Sequence, residues 1–120
     1  MEKKTVVSAL AALAQDTRLD VFRLLVQQGA TGLAAGEIAA ELGLAPATLS
    51  FHLKELAHAG LVTSRQDGRF VYYAADYEAM GRLLAFLTEN CCAADGQGCS
   101  PGTVCEPVTK PRNTLRKVKR

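Results

Sequence analysis

The stretch from Glu89 to Pro107 reads ENCCAADGQGCSPGTVCEP and holds all four cysteines of a 120-residue chain. Thiolates are soft ligands, so the acceptors to weigh are trivalent arsenic or antimony, zinc, cadmium, and a second thiol in a redox disulfide. Each sets different demands on spacing. Tetrahedral zinc favours ligands two to four residues apart, commonly C-x-x-C taken twice. Cys91 and Cys92 are adjacent, Cys99 follows after six residues and Cys105 after five more, a poor match to that pattern. A trivalent pnictogen needs only three thiolates on one side, because its lone pair fills the fourth direction. An adjacent pair plus one thiol on a loop meets that need, and Gly96 and Gly98 let the chain fold Cys99 back toward the pair. Loop closure slightly favours Cys99 over Cys105 as the third ligand, leaving Cys105 as a spare or transfer thiol. A redox switch depends instead on a thiol acidified by cations or a helix N-terminus. Residues 83 to 109 hold no Lys, Arg or His, and the pair follows a helix C-terminus, so easy oxidation is disfavoured. The missing basic activator also argues against a thiol enzyme such as a metalloid reductase.

The rest of the chain must position these thiols. Its length and 48% hydrophobic content suit one domain with a modest core, divided here into residues 1–90 and residues 91–120, a cysteine-bearing effector segment with a basic tail expected to hold little fixed structure past about Glu106. No apolar run approaches the roughly 18 residues of a membrane helix. The start, MEKKTVVSALAALAQ, imitates a signal peptide. Val6, Leu10 and Leu13 nevertheless fall at helical spacing, the apolar stretch is richer in alanine than in leucine, and secretion would expose clustered thiols to oxidation, so a cytoplasmic protein with no membrane partner is expected. The formal charge of +2 hides an asymmetry, because the last eleven residues carry six of the fourteen basic residues. Global charge is therefore no argument for nucleic acid, and local pattern must decide.

That pattern is mostly helical. Periodicity runs from about Val6 to Ala14 and from Thr17 to Gln28, where Leu19, Phe22, Leu25 and Val26 form a stripe and Asp16 is placed to cap. A short helix in AAGEIAAEL turns Ile38 and Leu42 inward and stops at Gly43. PATLSFHLKELAHAG opens with Pro46 in its first turn and closes at Gly60, so two helices joined by about three residues make a helix-turn-helix. From Leu61 the period drops toward two, and LVTSRQ and RFVYYAA flank Asp67-Gly68, a strong hairpin signal. A last helix from about Asp76 to Asn90 carries Tyr77, Met80, Leu84 and Leu87 at a seam-like spacing. The fold class is mainly α with a two-stranded β wing, a winged helix-turn-helix. The apolar residues of the first and last helices are expected to pair two copies.

Placing Leu49, Leu53 and Leu56 inward at 100° per residue turns Ala47, Thr48, Phe51 and Lys54 outward, with Ser50 at the edge. In a major groove Phe51 would pack on a thymine methyl, Thr48 and Ser50 would reach base edges or phosphates, and Lys54 would suit a phosphate. His52 falls nearer the core edge, as a satisfied half-buried histidine. Arg65 and Arg69 bracket the turn, putting two guanidinium groups at a hairpin tip within reach of backbone or minor groove. An ordinary amphipathic helix would explain the first set alone; the wing beside it favours double-stranded DNA.

TRLDVFRLL, then GEIAAELGLAPATLSFHLKELAHAGLV, then the RQDGRFVYY wing resemble the ArsR/SmtB winged-helix repressors, from roughly Leu13 to Asn90. The resemblance implies a homodimer built from the first and last helices, an operator near a resistance operon, and a metal or metalloid that releases the DNA. Two familiar versions of the family's site are not met. AAGEIAAEL lacks the Cys-x-Cys pair of the best-known arsenic sensors, and DYEAMGRLLAFLTEN offers Asp76, Glu78 and Glu89 but none of the histidines that zinc sensors use. A third branch, with a Cys-Cys pair just after the last helix and a further cysteine some residues on, is the better likeness. It implies Cys91, Cys92 and Cys99 as ligands for trivalent arsenic or antimony, with a cadmium, lead or zinc sensor on the same cysteines as the alternative.

Overall fold

Local chemistry sets the helix boundaries in the computed structural model, which describes residues 1–95. Helix α1 spans Lys3–Leu13 and α2 spans Asp16–Gln28. The cap of α2 is Gln15, whose side chain accepts from the Arg18 amide at 2.8 Å, so Asp16 is the first helical residue rather than the cap. A two-residue strand β1, Leu33–Ala34, leads into α3, Ala35–Leu42. Glu37 reaches back to the Ala34 amide at 2.9 Å, and Gly43 ends the helix in the left-handed conformation that costs glycine little. Helix α4, Pro46–His58, opens with its proline in the first turn. Strands β2, Val62–Asp67, and β3, Phe70–Ala75, form the wing. Helix α5, Tyr77–Leu87, starts at an Asp76 cap that accepts from the Ala79 amide at 3.0 Å, and a short 3-10 turn follows at Ala93–Asp95.

The winged helix-turn-helix expected from the sequence is thus present, with one added strand. β1 pairs antiparallel with β3, giving a sheet of order β1-β3-β2. A two-residue strand leaves too short a periodicity to be read from sequence. The wing turn also sits one residue later than the Asp-Gly signal suggests. Asp67 pairs with Phe70, and Gly68-Arg69 form the two-residue loop, with Gly68 at φ +65° in its first position, the type II′ pattern.

The core gathers Val6, Ala9 and Ala12 of α1, Val21, Phe22 and Leu25 of α2, Ile38 of α3, Leu49, Leu53 and Leu56 of α4, Leu61 and Val62, Ala75, and Leu83 of α5. Leu19, expected in the α2 stripe, is 41% exposed, while Val21 is fully buried. Helix α2 packs against both α4 and β3, and that double contact rolls Val21 inward. No helix among the described residues is long and apolar enough to cross a membrane.

Candidate nucleic-acid interface and thiol site

The roll of α4 follows from its buried leucines. Leu49, Leu53 and Leu56 are each 2% exposed or less, and burying a leucine is worth roughly 2 kcal/mol, so three of them fix which face looks out. That face carries Ala47, Thr48, Ser50, Phe51 and Lys54, all exposed. Phe51 is 55% exposed and contributes little to the core, so its size serves the monomer poorly. The wing adds Arg69 in its turn and Arg65 on β2, both exposed. Arg69 stands at the tip, as expected. Arg65 does not project freely there: its guanidinium lies 4.8 Å from the Tyr72 ring centroid and donates to the Thr31 carbonyl at 3.1 Å.

His52 lies on the other side of α4, 7% exposed and more deeply buried than the sequence suggests. Its Nδ1 is 3.4 Å from Arg18 Nη1. A guanidinium only donates, so Nδ1 accepts and the ring proton belongs on Nε2. The same arginine donates through Nε to the Ala12 carbonyl at 2.7 Å, joining the end of α1 to α2 and α4. Sequence gave no sign of this joint, because Arg18 reads as an ordinary surface cation until its partners are known. Burial first, and then the Arg18 charge, hold the His52 pKa below its usual 6.5, against the opposite pull of Glu55. A depressed imidazole pKa means that the fold favours the neutral ring. This part of the stability is complete above about pH 6.5 and is lost as pH falls through the folded value. The urea midpoint of the parent should therefore fall between about pH 7 and about pH 5, and fall less in His52→Gln, as followed by circular dichroism.

The thiol site begins where α5 ends. Thr88 caps the helix with its hydroxyl on the Leu84 carbonyl at 2.8 Å, and the Cys91 amide returns to the Thr88 carbonyl at 2.9 Å. Asn90 and Cys92 both adopt positive φ, +58° and +62°, so the chain turns sharply on either side of Cys91. The two sulfurs stand 3.5 Å apart, Cys91 half-buried and Cys92 exposed. Cys99, Cys105 and the basic tail lie outside the described residues. Among the described residues, no group of three or more His, Cys, Asp or Glu side chains could hold a metal ion. The acids of α5 are engaged elsewhere: Asp76 caps the helix, and Glu78 pairs with Arg82 at 3.1 Å.

The exposed apolar surface of α1 and α5 differs in part from expectation. Val6 is 3% exposed and belongs to the core, and Leu13 and Met80 are half-buried against it. Leu10, Leu84 and Leu87 remain exposed, joined by Val7 at 57%. Tyr77 is 36% exposed and donates its hydroxyl to the Val26 carbonyl at 2.7 Å.

A family model described as a helix-turn-helix domain matches residues 13–65. Over 93 residues the chain is 32% identical to a cadmium resistance transcriptional regulatory protein, a CadC homolog of Staphylococcus aureus, covering 76% of this chain and 75% of the relative. It is 34% identical over 79 residues to a putative arsenical resistance operon repressor, ArsR, of Halobacterium salinarum, covering 66% of this chain and 60% of the relative. The chain spans 60% of the length of the Halobacterium salinarum relative and up to 93% of that of other curated relatives such as the regulator YbzH of Bacillus subtilis. Among solved structures, the homodimeric winged helix-turn-helix DNA-binding domain Mb0332 of Mycobacterium bovis, a possible ArsR-family regulator, is 33% identical. Its TM-score is 0.60, with 77% of this chain and 80% of that one covered.

Proposed function

The chain belongs to the ArsR/SmtB family of winged helix-turn-helix transcriptional regulators, and from that premise we propose a metalloid-responsive repressor that releases operator DNA when three thiols capture trivalent arsenic or antimony. The family consists of DNA-binding regulators rather than enzymes, and the chain is one of them. The observation that carries the proposal is the Cys91–Cys92 pair, its sulfurs 3.5 Å apart at the exit of α5. Two soft ligands already sit side by side, and Cys99 is the third. Arsenite arrives as the neutral trihydroxide, and three thiols displace three hydroxides as water, so the exchange balances without oxidant or electrostatic activation. Residues 1–90 form the DNA-binding and dimerising domain in this reading, and 91–120 the effector segment and tail.

On DNA, α4 enters the major groove, with Thr48 and Ser50 toward base edges, Ala47 and Phe51 against a thymine methyl, and Lys54 near phosphate. Arg69 reaches the backbone or minor groove from the wing tip, on a hairpin that Arg65 shares. The protein acts in the cytoplasm as a homodimer on a two-fold palindrome.

A second reading, a cadmium, lead or zinc sensor on the same cysteines, is favoured by the CadC likeness. One titration separates the two. A labelled duplex, selected from a randomised pool by the metal-free protein, is followed by fluorescence anisotropy as arsenite, antimonite, cadmium, lead or zinc is added. Arsenite and antimonite should release the DNA at lower concentration than the divalent ions. The reverse order would establish the second reading.

A further inference from the structure

We infer that Arg65 is a positioning residue, a strut that crosses the face of the sheet and holds the wing so that Arg69 is presented to DNA. The inference rests on the DNA-binding reading for its purpose, but on geometry for its substance. Arg65 lies on edge strand β2, and its cross-strand partner in register is Tyr72 on the central strand β3. Tyr72 is in turn paired with Ala34 of β1 on its far side. The Arg65 guanidinium passes over the Tyr72 ring, 4.8 Å from its centroid, and ends on the Thr31 carbonyl, 3.1 Å away, in the loop that feeds β1. One side chain therefore touches something on or beside all three strands.

The sheet needs such a brace. β1 is only two residues long, so its ladder gives the wing little purchase on the body of the domain. The loop that receives Arg65 is firmly seated, because Gly32, at φ +71°, lies so close to β3 that a β-carbon there would collide with the Tyr73 carbonyl. The far end of the strut is therefore anchored. A guanidinium suits the task better than an ammonium, since its plane stacks on the ring while its fork still donates. A side chain held this way points across the sheet, whereas Arg69, two residues past β2 in the turn, is the cation that the strut leaves facing outward.

Salt dependence separates a strut from a phosphate contact. Each phosphate contact contributes roughly 0.9 to the slope of log affinity against log salt, so a residue that makes one leaves a shallower slope when neutralised. Binding of the selected duplex would be measured from about 50 to 200 mM salt. Arg69→Gln should flatten the slope by about one contact. Arg65→Gln and Arg65→Lys should both weaken binding by about two- to five-fold, the size of one exposed cation–π contact, with the parental slope kept. Tyr72→Leu should cause the same loss, Tyr72→Phe little, and Arg65→Gln with Tyr72→Leu no more than either alone. In the DNA-free protein, amide exchange along β2 and β3 should quicken in Arg65→Gln while Val21 and Leu25 of α2 stay protected. A flattened slope in Arg65→Gln with parental affinity in Arg65→Lys would overturn the strut in favour of a phosphate contact. Unchanged wing exchange in Arg65→Gln would overturn it outright. If the parent binds no duplex, the DNA reading falls and the exchange measurement still decides the strut.

Discussion

Cys91→Ser, Cys92→Ser and Cys99→Ser should each leave DNA affinity within about two-fold of the parent and yet abolish release by arsenite. All three residues follow α5 in the chain, whereas the proposed reading face belongs to α4 and the wing. Loss of one thiolate leaves two sulfurs and a weak hydroxyl, which is no substitute for a three-thiolate site. Cys105→Ser should remain inducible. The measurement is the anisotropy titration in a phosphine reductant, because a dithiol reductant would itself capture arsenic. Should Cys99→Ser release DNA while Cys105→Ser does not, the third ligand is Cys105 and the sensor reading stands. Should no soft ion release the parent, that reading is lost.

Release at a distance requires that effector binding favour a DNA-incompetent arrangement by a coupling energy of about 1–3 kcal/mol. A contiguous route is available. The thiol pair sits at the C-terminal end of α5, and the Tyr77 hydroxyl at the other end holds the Val26 carbonyl of α2. Arg18, in the first turn of α2, meets His52 on α4, and the His52 ring lies edge-on to Phe51, 5.4 Å between centroids. Helix α5 is thus linked through α2 to the outward face of α4 by packed and hydrogen-bonded groups.

Much of this was legible in the sequence, for identifiable reasons. Glycine and proline mark boundaries through backbone sterics alone, so Pro46 and Gly43 delimited the helix-turn-helix correctly. The Leu49, Leu53 and Leu56 stripe fixed the outward face of α4, because helical period and burial are tightly bound. Features made by tertiary contact were not legible. Leu19 and Val21 sit two residues apart, and only the joint packing of α2 on α4 and β3 decides which is buried. Val6 carried equal apolar weight in a core or an interface reading, and α1 had to be docked before it could be assigned. Arg65 looked like a tip residue because charge at a hairpin suggests exposure, and its stacking on Tyr72 depends on cross-strand register. The adjacency of Cys91 and Cys92 was plain, but the left-handed turns at Asn90 and Cys92 that shape it were not.

Leu10→Glu or Leu84→Glu should convert a dimer to a monomer and lower affinity for the palindromic duplex by 10²- to 10⁴-fold, roughly the gain expected when a second binding event becomes intramolecular. Helices α1 and α5 lie in contact, and together they leave Val7, Leu10, Leu84 and Leu87 between 40% and 57% exposed, more apolar surface than a small monomer usually shows to water. Two copies related by a two-fold axis would cover this surface and set two reading helices in successive major grooves, about 34 Å apart. A carboxylate at its centre would have to be buried without a partner, which costs several kcal/mol per ion and is met twice across a two-fold. Both leucines are exposed in the isolated chain, so each variant should keep parental circular dichroism. Thr48→Ala separates the effects, since it should weaken recognition of the selected duplex while the protein stays dimeric. Sedimentation velocity at micromolar protein, paired with anisotropy on the same samples, reads both quantities. A Leu84→Glu protein that sediments as a dimer and binds like the parent would place the interface elsewhere; a monomeric variant with undiminished affinity would show that one reading helix suffices.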